Sequence, residues 1–463
     1  MLKMHSRVYR KDFLFAMSSS INQHFTPWKL LQFATPSIIM MMFMSLYTIV
    51  DGIFISRFVG SNALSSLNIV FPVLNVVIAV ATMFGTGGNA IISRYLGEQK
   101  PQEARECLTQ FVVVSLIFSI VILILTQFFL TPISLFLGSN EVLLDDCRIY
   151  LSIAVSFAPA CTLQSLFQSY LVTAGHPGFG LFLTIGAGIL NAVLDYVLIV
   201  LCNLGIGGAA LATGIGQSVP AIAGVCFFLF SKRELHFTRF HLRPKELLLA
   251  CYNGSSEMVT QLSNAVVTFL FNIVLMNLAG EHGVAAITIL LYGQFLFNAF
   301  YLGFSIGISP IVGFQYGARN KKELENVYRI SFVFVGASSI VLLFVAISLS
   351  RPLVTVFTQD PKTLSLAVTG FPIFAFNFLF SGLNITSSGF FTALSNGKIS
   401  AILSFSRTLV FTVISLLVLP PILGINGAWV AIPTAEFFTL LLSIAMHLKY
   451  FLRPGPKNYF STT

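Results

Sequence analysis

Charge is what this sequence has least of. Asp, Glu, Lys and Arg together make up 9% of its 463 residues, against about 25% in a soluble globular domain, which excludes a water-soluble fold. Cysteine is equally sparse: the six residues at 107, 147, 161, 202, 226 and 251 lie mostly in apolar runs, with no CxxC pair and no Cys/His group at metal-ligand spacing. That excludes a disulfide framework or a zinc finger and leaves the thiols as small packing residues. No GxxxxGK[ST] occurs, so the chain carries no Walker-type nucleotide site of its own. GTGGNA at 85–90 imitates a dinucleotide fingerprint but follows no soluble strand. GFSIG at 303–307 fits GxSxG, yet all seven His fall in loops, termini or span ends, which leaves Ser305 without a base. Close packing by small residues explains that stretch better. The chain therefore reads as a non-enzyme without a cofactor.

What is present is apolar: 56% hydrophobic residues and 47 Phe, with a mean hydropathy of +0.86. About 20 apolar residues cross a bilayer as a helix. Twelve such runs are predicted, near 30–56, 63–88, 107–130, 143–172, 179–202, 206–230, 249–279, 284–308, 328–350, 363–393, 398–420 and 425–448. The chain is thus expected to be an all-α membrane protein, with kinks suggested by Pro36, Pro159 and Pro372. Residues 1–27 are basic but lack an apolar core ending in a small-residue cleavage site, which predicts a cytosolic leader rather than a signal peptide.

The distribution of Lys and Arg orients the spans. With the N-terminus inside, 21 of the 26 fall on the inner side, four outside (Arg57, Arg148, Arg351, Lys362) and one, Arg407, within a span. The positive-inside rule therefore favours twelve spans with both termini cytoplasmic in the cell membrane. The net charge of +9 is then a topology signal, and nucleic acid is not an expected partner. No obligate protein partner is expected either.

The halves repeat. GGNAIISRYLGEQKPQEA (87–104) aligns with GISPIVGFQYGARNKKEL (307–324) at an offset of 220, and LGIGGAALAT (204–213) with LGINGAWVAI (423–432) at 219. VTAG (172–175) meets FTAL (391–394) at 219. Six spans in each half predict two lobes related by a pseudo-twofold axis along the membrane normal, with a path between them. The expected division is a leader 1–29, an N-lobe 30–230, an inter-lobe loop 231–247, a C-lobe 248–449 and a cytosolic tail 450–463.

Four acids fall inside predicted spans: Asp51, Asp195, Glu257 and Glu436. An ionised Asp at the centre of a membrane helix costs roughly 2.5–3.5 kcal/mol on insertion scales, so each needs an offsetting role. Asp195 lies about 10 Å deep at 1.5 Å per residue, with Asn191 one turn away on the same face. Thr213, Tyr150 and Asp51 reach a similar depth from spans 6, 4 and 1. Carboxylate charge, neutral oxygens and shielding from water together suit a proton or sodium site. At offsets of 219–220 these positions meet Phe271, Val410, Ile414 and Ile432, so the polar cluster exists in one half only. The competing reading is a buried structural hydrogen-bond network. Arg407 and Glu436 both reach mid-membrane and are expected to pair, as a structural ion pair or as part of a gate or substrate contact.

PSIIMMMFMSLYTIVDGIFISRFVG (36–60), GTGGNAIISRYLGEQKPQEA (85–104) and TAGHPGFGLFLTIGAGILNAVLDYVLI (173–199) resemble the multidrug and toxic compound extrusion (MATE) family, in particular its bacterial MepA-like subgroup. The resemblance covers essentially all of 30–450. It implies a V-shaped pair of six-helix lobes that expels organic cations in exchange for protons or sodium ions. It also implies an N-lobe cation site, with Asp51, Tyr150, Asn191, Asp195 and Thr213 at the matching places and no metal beyond Na+. Pro36 matches a first-helix proline whose bending is linked to protonation. Members with a C-lobe cation site carry acids on helices 7 and 10; here span 10 has none and Glu257 falls too early, which leans towards proton coupling through the N-lobe alone. Met40, Met44, Asn377, Asn384, Arg407 and Glu436 are candidate cavity residues. The alternatives are a lipid-linked precursor flippase of the wider superfamily and a narrow metabolite exporter.

Overall fold

The computed structural model describes residues 21, 23–59, 61–231, 234–453 and 458–460, so most of the predicted leader lies outside the described residues. Apolar runs of this length leave the backbone no partner but itself, and helices result; no strand occurs among the described residues. Among the described residues nine helices are long and apolar enough to span a membrane, or eleven with each of two bent pairs counted as one span. Pro244–Gly317 would measure about 110 Å if straight, more than three bilayer cores. Gly280, at φ 62° and ψ −152°, breaks it in two. Twelve spans follow among the described residues.

Spans 1 to 3 are Pro27–Phe54, Ser61–Gly97 and Pro101–Phe128. Span 4 joins Leu144–Ser156 to Ala158–Thr173 at 52°. Span 5 is Pro177–Asp195, continued by a π-helical turn Tyr196–Leu201, and span 6 is Gly205–Phe230. Spans 7 and 8 are the two parts of Pro244–Gly317, and span 9 is Lys321–Ser348. Span 10 joins Pro361–Ala375 to Phe378–Ala393 at 53°. Span 11 runs Gly397–Phe405, a π-helical turn Ser406–Val410, then Phe411–Leu423, and span 12 is Ile425–His447.

Local chemistry sets the ends. Pro27, Pro101, Pro177, Pro244 and Pro361 open helices, where the missing N–H would have had no partner anyway. Asp360 caps span 10 by accepting from the Thr363 N–H at 2.8 Å, and Asn320 caps span 9 from the Glu323 N–H at 3.2 Å. The two bends fall beside prolines, Pro159 just after the first and Pro372 just before the second, each deleting one rung of the ladder. Pro36 instead sits inside an unbroken helix.

The repeat is visible in the backbone. Gln99 and Arg319, 220 residues apart, both take positive φ (61° and 54°), as do Gly175 and Ser395 (76° and 59°). Each pair closes its helix in the same way: the N–H groups of Lys100, Asn320, His176 and Asn396 all reach the carbonyl five residues back at 2.8–3.0 Å. The structure therefore aligns Gly175 with Ser395, one residue away from the VTAG/FTAL alignment at 219. Gly205 and Gly424, at φ 55° and 61°, do match at 219.

The lobes pack extensively at one end, and towards the other a Cβ on Gly52 would lie 3.9 Å from the Tyr292 hydroxyl. A single core joins Ala34, Ile91 and Tyr95 of the first half to Phe304, Ile311 and Phe390 of the second. Elsewhere the cores are separate: Ile55, Tyr150 and Ile206 in the first half, Phe271, Phe371 and Trp429 in the second. The shared core lies at the ends bearing the Lys/Arg-rich loops. Close crossings there depend on glycine: a Cβ on Gly97 would strike the Phe314 carbonyl, and one on Gly317 would strike the Arg94 carbonyl.

Candidate functional site

Asp51 ends one turn short of the close of span 1, and Asp195 is the last residue of span 5 before its π-helical turn. Such i→i+5 turns widen a helix locally and recur at functional sites; here the Cys202 N–H reaches back to Val197 at 2.9 Å. The packing of spans 1 and 5 brings the two carboxyls within side-chain hydrogen-bonding reach of each other. One oxygen of each is buried without another protein partner. Asp195 is 1% exposed and Asn191 2%. From one turn below, Asn191 donates to the Thr213 hydroxyl at 3.4 Å. Tyr150, also buried, stands within electrostatic range of both acids. Spans 1, 4, 5 and 6 thus bring all five sequence-predicted groups together.

A sixth member escaped the sequence reading. Tyr47 lies close enough to Thr213, Asp51, Asp195 and Tyr150 to interact with all four. Its position four residues before Asp51 places it on the same helical face, the one signal by which it was findable. Below the cluster, spans 1, 4, 5 and 6 enclose a small cavity whose lining includes Tyr47, Gln164, Ala187, Gly188, Gly216 and Gln217.

The second half holds a different arrangement. Arg407 Nη1 lies 3.5 Å from Glu436 Oε1, with side chains only 11% and 5% exposed. Asn384 donates to Glu436 Oε2 at 2.7 Å and to the Glu436 carbonyl at 2.8 Å. Arg407 sits within a π-helical turn, and the Thr412 hydroxyl takes up its carbonyl at 2.8 Å. Half-buried Glu257 interacts electrostatically with Arg407. Asn377 occupies the bend of span 10 and donates to the Phe374 carbonyl at 2.6 Å. Met40 is fully buried against Gly180, a packing position, whereas the Met44 sulfur accepts from Gln168 at 2.8 Å and lines the N-lobe cavity. Among the described residues no group of three or more His, Cys, Asp or Glu could hold a metal ion.

A family model described as MatE matches residues 36–197 and again 258–417. The chain belongs to the MatE family. The match falls once on each half, the two segments starting 222 and ending 220 residues apart. Curated relatives include the "Multidrug export protein MepA" of Staphylococcus saprophyticus, 22% identical over 92% of this chain and 93% of that protein. The "Uncharacterized transporter YisQ" of Bacillus subtilis is 24% identical over 68% and 70%. A solved structure described as the outward-facing conformation of a multidrug resistance MATE family transporter superposes with a TM-score of 0.87, covering 93% and 96% of the two chains at 22% identity. This MatE-family chain is therefore a multi-pass membrane transporter of MepA-like kind and not an enzyme.

Proposed function

We propose that this transporter exports organic cations across the cell membrane by alternating access, coupled to the inward movement of H+ in preference to Na+ through the Asp51–Asp195 site. The observation that carries this reading is a half-buried Asp51 and a buried Asp195 whose carboxyls lie within reach of each other, present in one lobe and absent from the repeat-related positions of the other. Two carboxylates cannot both stay ionised at that separation without a cation between them, and a shared proton satisfies both. Asn191, Tyr150, Tyr47 and Thr213 supply neutral dipoles around it. Export of drugs is also supported by the MepA relatives, which are named multidrug export proteins. Alternating access would part and close the basic ends in turn, presenting the path between the lobes to each side of the membrane.

The test is reconstitution in uniformly oriented liposomes with a fluorescent organic cation, an imposed proton gradient and, separately, a sodium gradient. Wild-type movement driven by protons and lost in folded Asp195→Asn supports the reading. Movement driven by sodium alone reassigns the ion. A dye that neither gradient moves favours a flippase or a narrow exporter, and normal transport by Asp195→Asn makes the cluster structural.

A further inference from the structure

The small N-lobe cavity and the buried ion pair of the C-lobe occupy the same place in the repeat. Helices Ala158–Thr173 and Phe378–Ala393 correspond at 220 at both ends, so Asn384 is the mate of Gln164. Arg407 falls on Ala187 at 220 or Gly188 at 219, and Glu436 on Gly216 or Gln217. All five of these N-lobe residues line the cavity. The same positions thus carry different chemistry in the two lobes: in the first, glutamine, glycine and alanine line a small cavity, and in the second a guanidinium lies beside a carboxylate and an amide.

The hold on that guanidinium is loose. Its contact with Glu436 is 3.5 Å, longer than the roughly 2.7–2.9 Å of a strong charge-assisted pair. Arg407 Nε and Asn384 Oδ1 are both buried without a protein partner. A bidentate clamp would have used those atoms. The Ser406–Val410 π-helical turn from which Arg407 projects sets the side chain apart from the regular helix on either side.

We propose that Glu436 and Asn384 form a cation site in the C-lobe whose occupant is the tethered guanidinium of Arg407, and that Arg407 thereby keeps free cations out of this lobe. Removing the side chain opens the site to a small planar organic cation. The consequence for transport, that ion exchange is confined to the N-lobe, rests on the function proposed above; the binding site itself does not.

The experiment is thermal unfolding of Arg407→Ala in detergent with guanidinium chloride at millimolar concentration, against sodium chloride at equal ionic strength. Guanidinium is expected to raise the Tm of Arg407→Ala by about 2–4 °C and to leave wild type and Arg407→Ala/Glu436→Gln unmoved. A folded Arg407→Ala that ignores guanidinium, or a double variant that responds equally, overturns the proposal. If Arg407→Ala does not fold in sodium chloride, rescue decides: recovery of folded, monodisperse protein when guanidinium chloride replaces sodium chloride supports the proposal, and no recovery overturns it. Guanidinium binding by Arg407→Ala together with no gradient-driven transport by wild type would sink the N-lobe reading and leave the C-lobe site standing.

Discussion

Asn89 donates to the Ser309 hydroxyl at 3.3 Å, and the two are the same position of the two halves, 220 residues apart. A contact between repeat mates lies on the axis that relates them, so the pseudo-twofold passes between spans 2 and 8 at this bond. Asn89 also receives the Thr173 hydroxyl, which ties span 4 to the same point. The glycine crossings obey the same symmetry: Gly97 against Phe314 maps onto Gly317 against Arg94.

Asn89→Ala removes two bonds at a site only 2% exposed, taking the donor from Ser309 and leaving Thr173 with the Ser169 carbonyl alone. A loss of about 1–3 kcal/mol is expected, read as a lower Tm in detergent, with Ser309→Ala milder. An Asn89→Ala Tm equal to wild type would remove the bond from the lobe interface.

Gly97→Ala and Gly317→Ala put a methyl group against backbone, which cannot rotate away. Each is expected to cost about 1–3 kcal/mol. Because the two positions share one crossing, the double variant should fall short of the sum. Strict additivity in the measured Tm values would mean that the crossings are independent.

Gly424 holds φ at 61° with open space around it, so Gly424→Ala tests backbone strain without a clash. About 1–2 kcal/mol of destabilisation is expected. Gly336, helical and equally unobstructed, should gain about 0.5–1 kcal/mol on Gly336→Ala. The two substitutions should move Tm in opposite directions, and a shared sign would refute the conformational argument.

Tyr47→Phe keeps the ring and deletes the hydroxyl close to Thr213. Loss of a group that orients the first ligands of an ion site typically costs 10–100-fold in affinity or activity. Gradient-driven dye transport is expected to fall at least tenfold while Tm changes little. Unimpaired transport would place Tyr47 outside the coupling site.

Glu323, at the start of span 9, accepts from the Phe25 N–H at 2.8 Å and pairs with His24 at 2.7 Å, while Asn326 donates to the Phe25 carbonyl at 2.8 Å. This strap ties the segment before span 1 to the other half of the chain. Glu323→Ala should release it, giving faster limited proteolysis ahead of Pro27 with the transmembrane fragment intact. Unchanged cleavage kinetics would show that the strap carries no load.

Much of this was legible in the residues. Asp51, Asn191, Asp195, Tyr150 and Thr213 stood out because polar groups in an apolar run are costly and therefore few. Depth along each span then sufficed to bring them level. Arg407 and Glu436 were paired on the same grounds, and the structure brings them together. Tyr47 was missed because an aromatic residue in an apolar helix looks like packing, and only the neighbouring span shows where its hydroxyl goes. The 219 alignment of VTAG with FTAL failed by one residue, because a helix end is marked by the residue at positive φ and not by the letters that flank it.

Composition, the spacing of apolar runs, the placement of Lys and Arg and the repeat near 220 settled by themselves that the chain is a twelve-span protein of two like halves, because a bilayer accepts only helices of a certain length. Periodicity cannot say which helices touch. Tertiary structure alone decided that the lobes share a core at their basic ends, that two carboxyls meet across spans 1 and 5, and that Asn384, Arg407 and Glu436 meet at positions whose repeat mates line the N-lobe cavity. Those are contacts between residues far apart in the chain, set by how side chains of particular size pack once the helices are already formed.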